Sequence, residues 1–173
     1  MSAVRSRLPI LALVFASASA HAGVWLQSAF SVGESSNDFS GVSQSGIDFS
    51  TDLTAGYLFP QGFIVGGEAL LSHGSVSGNH SFSWGPMGGI QIHGFELTAA
   101  FLPSATDVTD GSERDGGGFA VNAGYRVKAL GPLSVGVQLT YVAWVFSSQD
   151  GQDLAVKEHR SEIRPQLSFA FEF

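Results

Sequence analysis

Glu162-Ile163-Arg164-Pro165-Gln166-Leu167-Ser168-Phe169-Ala170-Phe171-Glu172-Phe173 closes the chain, and its odd positions are apolar while its even positions are small, polar or charged. A period of two puts alternate side chains on opposite faces of an extended strand. The preceding stretch repeats the pattern: Leu133, Val135, Val137, Leu139, Tyr141, Ala143 and Val145 alternate with Ser134, Gly136, Gln138 and Thr140. Phe119, Val121, Ala123, Tyr125 and Val127 do the same against Ala120, Asn122, Gly124, Arg126 and Lys128. Helical spacing is nowhere sustained.

Working outward from these stretches, the alternation predicts eight strands: Val24–Val32, Ile47–Phe59, Phe63–Ser72, Ser81–Ile92, Phe95–Pro103, Gly118–Lys128, Leu133–Phe146 and Ser161–Phe173. The connections after the second, fourth and sixth are tight: Pro60-Gln61-Gly62, His93-Gly94 and Ala129-Leu130-Gly131-Pro132. Those after the first, third, fifth and seventh read as longer polar loops, such as Ala105–Gly117 and Ser147–Arg160. Short turns at one end and long loops at the other are the asymmetry of an outer-membrane barrel. The expected fold is all-β: an eight-stranded antiparallel up-and-down transmembrane β-barrel.

The N-terminus reads separately. Arg5 and Arg7 precede an apolar run from Leu8 to Ala16 and a small-residue tail ending Ala20-His21-Ala22. That is the composition of a secretory signal peptide over residues 1–22, with cleavage after Ala22 or, alternatively, after Ala20. The run is too short for a spanning helix. Residues 23–173 then form one barrel domain, with no further domain expected after Phe173. The chain has no cysteine, so no disulfide staples it and no lipid is attached at a cysteine.

Composition narrows the function classes. The 173 residues carry 15 Asp and Glu against eight Lys and Arg, a formal charge of −7, and two of the arginines lie in the signal. Nucleic acid is not an expected partner, because neutralising phosphates takes clustered Lys and Arg. A soluble secreted barrel is the serious rival, and Gly23-Val24-Trp25 superficially matches a lipocalin Gly-x-Trp. Two arguments favour lipid. An eight-stranded barrel is only just wide enough for side chains to fill it, so the many Phe, Leu and Tyr cannot all point inward. The opposite face, moreover, is Gly, Ser, Ala, Thr, Asn and Gln rather than the Lys- and Glu-rich surface of a soluble sheet. Aromatic residues gather at both strand ends: Tyr57, Phe59, Phe63, Phe95, Phe171 and Phe173 at the turns, and Phe49, Phe82, Trp84, Phe101 and Phe119 toward the loops. Such belts suit the two interfaces of a bilayer.

The terminal strand, with Leu167, Phe169, Phe171 and Phe173, resembles the C-terminal signal of Gram-negative outer-membrane proteins. The chain as a whole is similar to the small eight-stranded group of the OmpX, NspA and OmpA-transmembrane-domain type, in topology, length and last strand only. The resemblance implies an assembly signal at those four residues, read by the barrel-assembly machinery during insertion. It also implies location in the cell outer membrane among outer-membrane lipid and lipopolysaccharide, as a monomer. Pro86 and Pro165 depart from the pattern, since each removes a ladder donor. Bulges should absorb them, the first helped by Met87-Gly88-Gly89.

Parity places Asp48, Asp52, Glu68, Glu96, Glu162 and Glu172 inside with Arg126, Lys128 and Arg164. Asp52 and Glu68 should be neighbours across a tight turn, where two carboxylates repel unless a cation intervenes; Arg164 is the candidate bridge. The expected site is a lumen ionic network of Asp52, Glu68, Glu96, Arg126, Lys128, Arg164 and Glu172 that plugs the barrel. A loosely hydrated lumen is the plainer alternative.

Catalysis is not expected. His159-Arg160-Ser161, beside Glu158 and Glu162, resembles the His-x-Ser of PagL-type lipid A deacylases, but Glu162 stands where that family has Asn. Proximity on one strand does not place nucleophile, base and acid within reach of one another. No amphipathic helix precedes the first strand, as a PagP-type acyltransferase would require. His73 and His80 flank a loop without a third ligand, so no metal site follows, and no cofactor is expected. The Asp107, Asp110, Glu113 and Asp115 stretch reads as a solvated acidic loop that divalent cations could bridge to lipopolysaccharide. The expected function is an integral outer-membrane protein with a structural, surface-interaction or envelope-stability role and a closed polar lumen. A narrow channel for ions or small solutes is the first alternative, and a lipid A-modifying enzyme the second.

Overall fold

The computed structural model describes residues 23–39, 42–74, 79–109 and 111–173; the signal segment and its cleavage site lie outside them. Eight strands, β1 (Gly23–Phe39), β2 (Val42–Leu58), β3 (Phe63–Gly74), β4 (His80–Ile92), β5 (Phe95–Thr109), β6 (Ser112–Leu130), β7 (Leu133–Gln149) and β8 (Gln152–Glu172), follow one another around a ring. Each pairs antiparallel with its chain neighbours, and β1 pairs with β8 to close the barrel. The all-β, up-and-down architecture is the one the alternation predicts.

The strands are longer than the alternation alone suggests, and the expected long loops mostly do not exist. Gln149 pairs with Gln152, so Asp150 and Gly151 alone connect β7 to β8. Both have positive φ, 50° and 76°, the conformation of a type I′ hairpin that Asp-Gly favours. Likewise Thr109 pairs with Ser112, and Phe39 with Val42, leaving two residues between strands in each case. Ala105–Gly117 and Ser147–Arg160 are therefore paired hairpins. Their polar composition reflects strands standing clear of the apolar band. At the other end His93 (φ 51°) and Gly94 (φ 86°) make another two-residue turn of the same type.

Pro86 falls in a bulged interval, as expected, but the extra residue is not on its own strand. Met87, Gly88 and Gly89 pair in regular register with Ala100, Ala99 and Thr98. The extra residue lies on β5, because register shifts fall between Leu102 and Ala105 on its β6 side and opposite Trp84 to Met87 on its β4 side. Pro103 and Ser104 both face outward there. The inward parity of β5 then changes from even (Glu96, Thr98, Ala100, Leu102) to odd (Ala105, Asp107).

Pro165 causes no bulge. The β7–β8 register runs unbroken through Leu139↔Pro165. The β1–β8 ladder, by contrast, ends at Phe30↔Leu167. The Phe173 amide donates to Val24 and the Glu172 amide to Pro132, so odd residues of β8 direct their N–H toward β1. Continued in register, Pro165 would be the next donor and has none. The closing seam thus runs only from Trp25↔Glu172 to Phe30↔Leu167, and is covered outside by Phe30 edge-on to Phe169, ring centres 6.3 Å apart.

The distribution of side chains is inverted relative to a soluble domain. Leu53, Phe63, Val65, Phe95, Leu97, Phe101, Val137, Leu139, Ile163 and Leu167 are all exposed on the outer face. Aromatic pairs mark two levels of it: Phe95 with Tyr125 at the turn end, centres 4.6 Å apart, and Phe119 with Tyr141 toward the hairpin end, at 5.9 Å. Asp52, Glu68, Glu96, Arg126, Arg164, Gln138 and Thr140 are buried inside. The lumen is nevertheless not purely polar: Trp25, Ile64, Leu70, Met87, Leu102, Trp144 and Phe146 also point inward. Lumenal glycines make room for them and for long polar side chains.

Candidate functional site: the charged lumen

Most of the lumenal charge lies along one connected file. At the turn end Arg126, on β6, forms an ion pair with Glu96 on the neighbouring β5, and both side chains are almost wholly buried. Its Nη1 donates to Gln27 Oε1 at 2.9 Å, and its guanidinium lies over the Trp25 ring, 5.2 Å from the centroid. Gly136, opposite Arg126 on β7, admits the β6 backbone and this side chain together, because a Cβ there would sit 2.1 Å from the Tyr125 carbonyl oxygen and 2.6 Å from Arg126 Cγ. Gln27 donates in turn to Gln138. Gln138 Nε2 reaches Thr140 Oγ1 at 2.9 Å and Gln166 Oε1 at 3.2 Å. The Thr140 hydroxyl is 3.2 Å from Asp52 Oδ2.

From Asp52 the file climbs toward the hairpin end by alternating charge. Arg164 Nη1 is 3.5 Å from Asp52 Oδ1, and Arg164 Nε donates to Glu162. Arg160 Nη2 is 3.6 Å from Glu162, and its Nη1 donates to Asp107 Oδ1 at 3.1 Å. Arg114 completes the rim, 3.6 Å from Asp107 and 3.3 Å from Glu158. Trp144 stands between Arg160 and Arg164, with the guanidiniums 5.7 and 5.5 Å from its ring centre. Its indole N–H donates to Ser83 at 3.2 Å.

The seven residues expected to form one network divide into three pairs and a remainder. Glu96 meets Arg126, Asp52 meets Arg164, and Lys128 meets Glu172 at 3.3 Å beside the turn-end mouth. Glu68 stands apart. Arg164 does not bridge it to Asp52; in register Asp52 faces Leu70 while Thr54 faces Glu68, so the two carboxylates are diagonal. Arg164 instead sits between Asp52 and Glu162. The partner of Glu68 is Asn122, from β6 across the lumen, whose Nδ2 donates to Glu68 Oε1 at 2.8 Å.

Other sequence-derived candidates also have clear positions. Glu158 and Glu162 pair with lumenal arginines, so strand alternation turns His159 and Ser161 to the opposite face, away from both acids. The acidic stretch of β5 and β6 is a hairpin rather than a loop. Asp107 is buried between two arginines and Asp115 accepts from Thr106 at 3.0 Å, while Asp110 lies outside the described residues. His73 and His80 come opposite one another at the β3–β4 register. Among the described residues no three His, Cys, Asp or Glu side chains come together as a metal-holding group.

Sequence reasoning missed Trp25, Trp144, Thr98 and Asn122 as lumenal partners. Parity alone could have found them: Trp144 shares its register with Gln138 and Thr140, and Asn122 with Arg126. A vestibule of about 370 Å³ opens at the turn end around Gln91, Arg126, Lys128, Ser134 and Glu172. Another of about 280 Å³ opens at the hairpin end around Asp48, Asp107, Arg114 and Arg160. Between them Ile64, Leu70, Leu102, Val142 and Trp144 pack beside the polar file. A comparison with protein-family models, curated proteins and solved structures finds no match to this chain.

Proposed function

We propose that the protein is an integral outer-membrane β-barrel, exported by its N-terminal signal, with a structural or surface-interaction role and a closed lumen. The observation that carries this reading is the inverted packing: a continuous outer band of exposed Leu, Val, Ile and Phe around a charged, hydrogen-bonded interior. Soluble monomers rarely expose an apolar patch above a few hundred Å². In a bilayer the same band faces acyl chains, and antiparallel pairing around the ring satisfies the strand backbones, the β1–β8 seam doing so from Trp25↔Glu172 to Phe30↔Leu167. The polar hairpins of β5–β6 and β7–β8 stand outside the apolar band.

The lumen supports a structural rather than a conducting role, because paired charges and packed Trp and Leu side chains occupy its middle. Leu167, Phe169 and Phe171 all face outward beside Phe173, which suits recognition of this strand by the assembly machinery. Reconstitution into vesicles tests the reading. Folded protein should resist protease across the apolar band, lose only hairpin-end segments, and give no steady conductance in planar bilayers. A steady single-channel current would favour the channel, and solubility as a detergent-free monomer would overturn membrane placement.

A further inference from the structure

Among the described residues no lysine or arginine stands within ion-pair distance of Glu68; Arg164 acts on it only from further away. Its side chain is 2% exposed, and Oε1 accepts from Asn122 Nδ2 while Oε2 makes no hydrogen bond. Asp52, Glu96, Glu162, Asp107 and Glu172 each have an arginine or lysine within ion-pair distance. An ionised carboxylate buried without a counter-charge is among the costliest groups a fold can contain.

The surroundings of Glu68 are equally one-sided. Asn122 spends its Nδ2 on Glu68 and on Thr98 Oγ1, at 2.8 and 3.1 Å. Its Oδ1 is buried and makes no hydrogen bond. Reversing the amide would set oxygen against the Glu68 oxygen, so the present orientation follows from the carboxylate. Two buried acceptors on these hydrogen-bonded side chains, Glu68 Oε2 and Asn122 Oδ1, therefore lack a donor, and the Thr98 hydroxyl oxygen lies 3.1 Å from Asn122 Nδ2.

We propose that Glu68, Asn122 and Thr98 form a lumenal binding site for one small monovalent cation of the alkali type. The donors are hard oxygens of one carboxylate, one amide and one hydroxyl, and the net charge to be balanced is single. Calcium takes six to eight oxygens, commonly from several carboxylates, and magnesium demands a near-complete octahedron, so both fit this set poorly. The proposal rests on the barrel interior and holds whether or not the barrel sits in a membrane. Binding at this site ties β3 to β5 and β6 across the lumen.

Thermal unfolding of the folded full-length barrel at constant ionic strength tests it, comparing sodium or potassium chloride with N-methylglucamine chloride. A cation bound only by the folded state raises Tm with the logarithm of its concentration. The expected alkali-specific rise is on the order of 5 °C at about ten times the dissociation constant, and Glu68→Gln should abolish it. Rubidium-soaked crystals supply a second measurement that does not depend on the variant folding, with anomalous density expected beside Glu68 and Asn122. Equal Tm in alkali and N-methylglucamine, an alkali effect unchanged in Glu68→Gln, or rubidium absent from Glu68 would each overturn the proposal. The first of these, with no rubidium bound, would assign a proton to the carboxylate instead.

Discussion

Arg126 and Glu96 form an ion pair whose side chains are 2% and 3% exposed, on adjacent strands inside the barrel. The pair is sealed by Trp25 below the guanidinium and held in line by Gln27. Removing one member of such a pair leaves the other charge buried and alone, which typically costs about 3–5 kcal/mol. Arg126→Met should therefore destabilise the folded barrel by that order, measured by urea unfolding in detergent or lipid. Arg126→Met with Glu96→Gln should recover much of the loss, and a double variant as unstable as the single one would refute the pairing argument.

Gly136 sits where a methyl group would collide with the Tyr125 carbonyl oxygen and with Arg126 Cγ. Gly136→Ala should displace the guanidinium from Glu96 and cost about 1–3 kcal/mol, as overpacking does in a dense interior. Urea unfolding checks it: the Tyr125 carbonyl stays in place and methionine keeps the Cγ, so the penalty should persist in the Arg126→Met background, and a Gly136→Ala variant as stable as the parent would refute the argument.

Val32 and Pro165 stand where the β1–β8 ladder would take its next rung after Phe30↔Leu167. In hydrogen-exchange NMR the Val32 amide, directed at β8, should exchange much faster than that of Phe30. The Ser31 amide, directed at β2, should remain protected through its pairing with Ser50. Pro165→Ala supplies a donor for the Val32 carbonyl, and the rung it completes, with the Val32 amide donating back to the residue 165 carbonyl, should slow Val32 exchange. Equal protection of Val32 and Phe30 in the parent protein would show that the seam continues past the proline.

Leu139 lies mid-way along β7 on the outer face, half exposed. In lipid, Leu139→Arg should destabilise the barrel by about 2–4 kcal/mol, the cost of arginine near a bilayer midplane. On a water-facing surface the same change would be worth no more than about 0.5 kcal/mol. Folding titrations in lipid vesicles distinguish the two, so this substitution tests the proposed membrane placement directly.

Much of this architecture was legible before any tertiary information. The alternation around Leu133–Val145 and Glu162–Phe173 identified both faces of β7 and β8, because a period of two admits only one assignment once one face is bulky. His93-Gly94 marked its turn by composition. The Asp150-Gly151 signal was equally present but was submerged in a polar stretch that read as loop. Asp107 could not be assigned inward from local parity, because the additional β5 residue at Pro103-Ser104 reverses the pattern beyond it.

The charged lumen divides along the same line. Strand parity by itself determined that Asp52, Glu68, Glu96, Arg126 and Arg164 share one interior, since that property is local to each strand. Which of them meet was decided only by the closed ring, whose register sets Arg164 beside Asp52 and Glu162 and brings Asn122 across to Glu68. Side-chain direction follows from the backbone of one strand, whereas partnership across a lumen depends on the stagger of all eight. That stagger pairs Arg126 with Glu96 and, among the described residues, leaves Glu68 beyond ion-pair distance of any lysine or arginine.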